Sequence, residues 1–292
     1  MFYGTEVLNL SEKAVERIEH EHRKFGRRLQ YLPKTTANPS AYCLLGWPSA
    51  RSHIDEKCLS FQYGIMRLKS SCIFKQAFIY RMTDLLSSNE ELKGPTGQFI
   101  KTCRKYGLIT SVKSSVENGA VKSKLLWKTE VKNAIKSNDQ YLHRLETQMY
   151  KKAIFIRDYD IGKATVWWKV SMKHLSSLKP CILMVKFLIG EEPLRSNPAY
   201  YSGDDRQCKI CNTGEKETVG HFMFKCPTLH ESRIQFYEAL KNVTPLVHTL
   251  IAIEDIQTIV RAEFDSSLIL LARLADSVHC MYKIRSSLMC IS

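Results

Sequence analysis

Apolar positions along this chain recur mostly three and four residues apart, the interval at which a helix buries one face. Ser11 can cap a first segment whose apolar positions are Val15, Ile18, Phe25 and Leu29, and Pro33 ends it. The polar run from Lys34 to Pro39 reads as a loop, followed by a short apolar turn, Ala41 to Leu45, stopped by Gly46 and Pro48. Ile54, Cys58, Phe61, Ile65 and Leu68 then alternate four and three apart, and Cys72 to Leu86 is apolar enough to pack on them, which predicts a helical hairpin.

Gly94-Pro95-Thr96-Gly97 breaks the pattern. Thr96 or Gly97 can start a helix through Phe99, Ile100 and Cys103 that ends at Gly107. Ser111 to Ala120 is polar and is expected to be a loop. Leu125, Trp127, Val131 and Ile135 predict another helix, with Asn138 or Asp139 capping a further one through Leu142 and Leu145. Strand signals are scarce. The Val-Trp-Trp run at Val166 and the apolar run from Cys181 to Ile189 are ambiguous by period alone, although Pro180 favours a helix start for the second. The expected fold is mainly α, with a helical N-terminal half and C-terminal helices flanking a small zinc knuckle. Its expected stretches are a helical region over 1–93, a basic helical or linker region over 94–180, the knuckle region over 181–240 and C-terminal helices over 241–292.

With 292 residues, 44% of them hydrophobic and 10% aromatic, the chain can bury a sizeable core. The sequence shows neither a basic n-region with an apolar h-region at its start nor an uninterrupted apolar run long enough for a span. The expected compartment is therefore intracellular, nucleus or cytoplasm, with no membrane partner. In that reducing setting ten cysteines read as metal ligands and buried thiols rather than a disulfide framework.

Charge changes the picture further. Lys and Arg total 43 against 29 for Asp and Glu, a net +14 that favours a polyanionic partner, RNA or DNA with little sequence preference. Lys101 to His174 holds 16 of the basic residues and 6 of the acidic ones, so this quarter contributes +10. Tyr106, Trp127, Tyr141, Tyr150, Tyr159, Trp167 and Trp168 are interleaved with them. Aromatic platforms among cations suit single-stranded nucleic acid, while the competing reading is a solvated lysine face over core aromatics. Lys122, Lys124, Lys128 and Lys132 are the candidate phosphate contacts and Trp127 the candidate stacking platform.

The chemistry concentrates in Cys208-x2-Cys211-x9-His221-x4-Cys226. Two short ligand pairs joined by a turn can fill a tetrahedral zinc shell, and with all four positions taken by protein the site is structural. Asn212-Thr213-Gly214 supplies the turn, and Phe222, Met223 and Phe224 supply something to bury. A thioredoxin-like redox pair at Cys208 and Cys211 is the weaker reading, since Gly203, Asp204 and Asp205 precede it where a buried strand would be needed. Lys209, Lys225 and Arg233 beside the ligands are further candidates to meet phosphates.

Leu188-Ile189-Gly190, Leu194, Tyr201, the Cys and His ligands, Glu217-Thr218, Phe222, Pro227 and Arg233 together resemble the C-terminal region of non-LTR (LINE-type) retrotransposon reverse transcriptases. Leu32-Pro33-Lys34-Thr35-Thr36 with Asn38, then Leu45-Gly46 and the helix from Leu59 to Leu68, resembles the stretch after the polymerase thumb in the same proteins. The resemblance implies a CCHC zinc motif and a tail that grips RNA or DNA, with a catalytic retroelement domain or another protein as partner. Catalysis is not expected. Tyr201-Ser202-Gly203-Asp204-Asp205 lacks the spacing and apolar strand of a polymerase hairpin and reads as a solvated turn. Nucleophile-elbow, zinc-protease and phosphate-loop motifs are absent as well. A rival expectation is a protein-interaction scaffold, in which zinc staples helices and Leu268, Leu271, Ala275, Val278 and Met281 dock a partner.

Overall fold

The computed structural model describes residues 4–5, 10–87, 92–198, 200–201, 205–253 and 255–290. The chain is mainly α. Among the described residues, β pairing is limited to two isolated antiparallel bridges, Leu45 with Ala164 and Gln207 with Lys216. Contacts divide the chain into two discontinuous units, one of Met1–His22 with Pro48–His143, the other of Arg23–Trp47 with Arg144–Ser292. Each unit is closed by segments far apart in sequence.

Helix α1 (Glu12–Leu29) starts where expected: the backbone N–H of Ala14 donates to Ser11 Oγ at 3.3 Å. Glu12 in its first turn and Arg27 and Arg28 in its last complement the helix dipole. In the first unit, α2 (Ala50–Met66) and α3 (Ile73–Ser87) form the expected hairpin and pack with α4 (Gly94–Lys105). Ser49 caps α2 by accepting from the Ser52 N–H. Leu59, Tyr63, Met82, Phe99, Ile100 and Val131 fill this core.

Helix α4 already starts at Gly94, within the run expected to break the pattern, and two further elements differ from expectation. The expected loop over 111–120 is a helix, α5 (Ile109–Asn118), which turns Val112 and Ser115 inward and ends at Gly119 in the left-handed region, φ 67°. The two helices expected over 121–145 are one, α6 (Lys124–Gln148). Asp139 caps nothing; its carboxylate accepts a 2.6 Å hydrogen bond from Ser52 Oγ inside the first unit.

The second unit resolves both ambiguous runs as helices, α7 (Val166–Lys173) and α8 (Leu178–Leu188). After the segment from Cys208 to Cys226 come α9 (His230–Val243), α10 (Val247–Ala252), α11 (Ile256–Arg261) and α12 (Leu268–Met289). Helix α12 packs on α7, α8 and α9. Leu271, Ala275, Val278 and Met281 are at most 1% exposed in that core, so the helix face expected to dock a partner is spent inside the fold. Trp167 is fully buried and donates from Nε1 to the Val260 carbonyl at 2.6 Å.

The Leu32 to Asn38 stretch forms a tied turn in this unit: Arg27 donates to the Thr36 carbonyl and, at 2.6 Å, to Asn38 Oδ1. Gly46 follows at φ 69°, where a Cβ would lie 2.4 Å from the Ala164 nitrogen, so glycine lets the Leu45 bridge close.

Candidate metal centre

Cys208 and Cys211 sit on a tight reversal. Its arms are held by the Gln207 to Lys216 bridge and by the Cys208 N–H donating to the Glu215 carbonyl at 2.8 Å, and Gly214 turns the chain at φ 70°. His221 opens a single π-helical turn, His221–Lys225, and the Cys226 N–H donates back to the His221 carbonyl at 2.8 Å. This wider turn places the fourth ligand beside the third. Thr228 then ties the two halves by donating from Oγ1 to the Ile210 carbonyl at 2.5 Å.

The four predicted ligands are brought together. Their ligand atoms all lie within 4.8 Å of one another, with Cys208 Sγ 4.0 Å from Cys226 Sγ and Cys211 Sγ 3.4 Å from His221 Nε2. All four are buried, from 0% exposure at Cys226 to 8% at Cys211. Such a Cys3His cluster could hold a metal ion. Within it, the hydrogen bond from Cys208 holds the Cys226 thiol below its ordinary pKa, and that bond together with burial pushes Cys208 up. Sharing of this kind is what two thiols aimed at one point produce.

The surroundings were not legible from ligand spacing. Glu215 Oε2 lies 2.8 Å from His221 Nδ1, so the Nδ1–H can donate a hydrogen bond to Glu215, which leaves the Nε2 lone pair facing Cys211. Glu217, 1% exposed, accepts two hydrogen bonds from Arg285, at 2.8 and 2.6 Å, and one from the Arg195 N–H. Burial pulls the Arg285 pKa down, but Glu217 and Tyr201 more than offset this and leave it raised. The pair fastens the segment between Cys211 and His221 to the end of α12.

Arg233, a candidate phosphate contact, is instead buried at 5% exposure and donates to the carbonyls of Met223 and Cys226. It satisfies backbone groups around the last ligand. Lys209 pairs with Asp205, and Lys225 is exposed. The Asp204 half of the acidic pair lies outside the described residues, while Asp205 makes that ion pair.

Trp127 is 3% exposed, lies flat on Tyr63 with ring centroids 3.9 Å apart, and donates from Nε1 to the Leu59 carbonyl. Neither face can take a base, because the apolar face of α6 needs it for the core. Tyr106, Trp167 and Trp168 are buried too, leaving Tyr141 and Tyr150 as the exposed aromatics of the interleaved set. Lys122 is engaged by Ser111 and Glu130, whereas Lys124, Lys128 and Lys132 are exposed along the first turns of α6. No described helix is long and apolar enough to cross a membrane. No family model, curated protein or solved structure matches the chain.

Proposed function

We propose that this protein is a non-catalytic nucleic-acid-binding protein, or part of one, that carries a structural zinc and resembles the tail of a retrotransposon reverse transcriptase. The buried Cys3His cluster carries the reading. Three thiolates and an imidazole suit zinc better than a hard cation such as magnesium, and four protein ligands leave no open position for chemistry. The net charge of +14 supports a polyanion as the partner. RNA and DNA offer the same phosphates, so binding with little sequence preference follows from a basic surface.

Two measurements test this. Metal analysis of reduced protein should find one zinc ion per chain, lost in Cys211→Ser. Filter binding across salt should give log affinity falling linearly with log salt, with a slope of about −3.5 for five phosphate contacts on a single strand. Protein without zinc under reducing conditions, or without salt-dependent binding, overturns the corresponding half of the proposal. Template-directed nucleotide incorporation by the chain alone would overturn its non-catalytic part.

A further inference from the structure

In the first unit, α2, the first turn of α3 and the first turn of α6 border a groove of about 840 Å³. Residues of α2 at helical spacing, from Lys57 through Phe61 to Gly64, form one wall, and Lys124 and Lys128 stand on another. The floor is apolar. Tyr63 and Trp127 close it from beneath as a stacked pair, while Phe61 is 41% and Phe74 72% exposed above them. The lining carries four permanent cations, Lys57, Arg67, Lys124 and Lys128, against one carboxylate, Glu56. Burial keeps His53 below the ordinary histidine pKa.

We propose that this groove holds a short stretch of single-stranded nucleic acid, its bases against Phe61 and Phe74 and its phosphates along the lysine and arginine rim. The inference rests on the proposed function and adds to it a location and a preference for single strands. Charge complementarity selects the occupant: a protein segment would gain from the apolar floor, but a polyanion with flat apolar faces uses both floor and rim. A floor of rings and aliphatic carbons offers few donors or acceptors to base edges, which accounts for binding without sequence preference. In a duplex the base faces are stacked on one another and unavailable to Phe61 and Phe74.

Gly64 provides a test that leaves the charge untouched. It lies within α2, and a Cβ there would have nothing within 4 Å, so Gly64→Leu protrudes into the groove while favouring the helix. Fluorescence anisotropy with a labelled 12-nucleotide oligouridine should show Gly64→Leu weakening binding about tenfold, with melting temperature not lowered and salt slope unchanged. Phe74→Ser, an exposed change, should weaken it in the same way. Lys124→Gln with Lys128→Gln should instead flatten the salt slope, by about 1.4. A 12-nucleotide abasic strand should bind more weakly and be indifferent to Gly64→Leu. Equal oligouridine affinity in wild type and Gly64→Leu overturns the groove while leaving nucleic-acid binding intact, and the apolar floor would then suit a protein segment. A wild type that binds neither oligouridine, oligothymidine nor a 12-base-pair duplex overturns the proposed function itself.

Discussion

His221 shows how one side chain can be fixed from both ends. Its Nδ1 meets Glu215 at 2.8 Å and its Nε2 meets Cys211 at 3.4 Å, so the carboxylate selects the tautomer whose free lone pair points into the cluster. Glu215→Ala should therefore leave all four ligands in place yet weaken metal binding about 10- to 100-fold, measured by competition with a chromophoric chelator. An unchanged affinity would mean that packing alone orients the ring. Trp127 illustrates the opposite case, an aromatic among lysines whose work is internal. Trp127→Ala should cost about 3–5 kcal/mol in denaturant unfolding, the usual range for emptying a core position of this size. Trp127→Phe keeps a ring on Tyr63 and removes only the indole bond to the Leu59 carbonyl, which keeps its helical partner within α2, and should cost less, about 0.5–1.5 kcal/mol.

Among the elements, helix starts and stops marked by local chemistry were legible: Ser11 before α1, Gly107 after α4, and the apolar faces of α2 and α3. Helix α5 was not, because its ten residues are mostly small and polar and turn few of them inward. Asp139 misled for a related reason. An Asp amid polar residues suggests a cap, yet here it faces Ser52 across the first unit, a pairing 87 residues apart. Burial raises the Asp139 pKa, with Asp55 and Glu19 adding to the rise and Ser52 and Lys105 opposing it. An acid with a raised native pKa holds its proton longer when folded, so its contribution to stability falls as pH rises from the unfolded pKa through the folded one. Asp139→Asn can still accept from Ser52 and should raise the melting temperature at pH 7, with the gain shrinking as pH drops toward the ordinary aspartate range. A gain independent of pH would assign the effect to something other than this charge.

At the scale of the whole molecule, the Cys and His set that could hold a metal was legible because it is local: Cys208 to Cys226 is one short stretch closed by its own turns. What holds it was not, since the Glu217 to Arg285 pair spans 68 residues and no spacing rule connects them. The same holds for the two units, each assembled from distant segments around its own core. Metal removal should expose that division. A metal bound only by the folded knuckle contributes its binding free energy to that fold, and the knuckle is fastened to α12 through a buried ion pair whose loss strands a charge. Hydrogen exchange with and without a strong chelator should therefore show faster exchange over 205–233 and around Arg285. Amides of the first core, from Leu59 to Ile135, should stay protected, because none of their burial depends on the four ligands. Equal loss of protection in both cores would mean that the metal supports the chain as one cooperative body, and no change anywhere would mean that the cluster holds no metal.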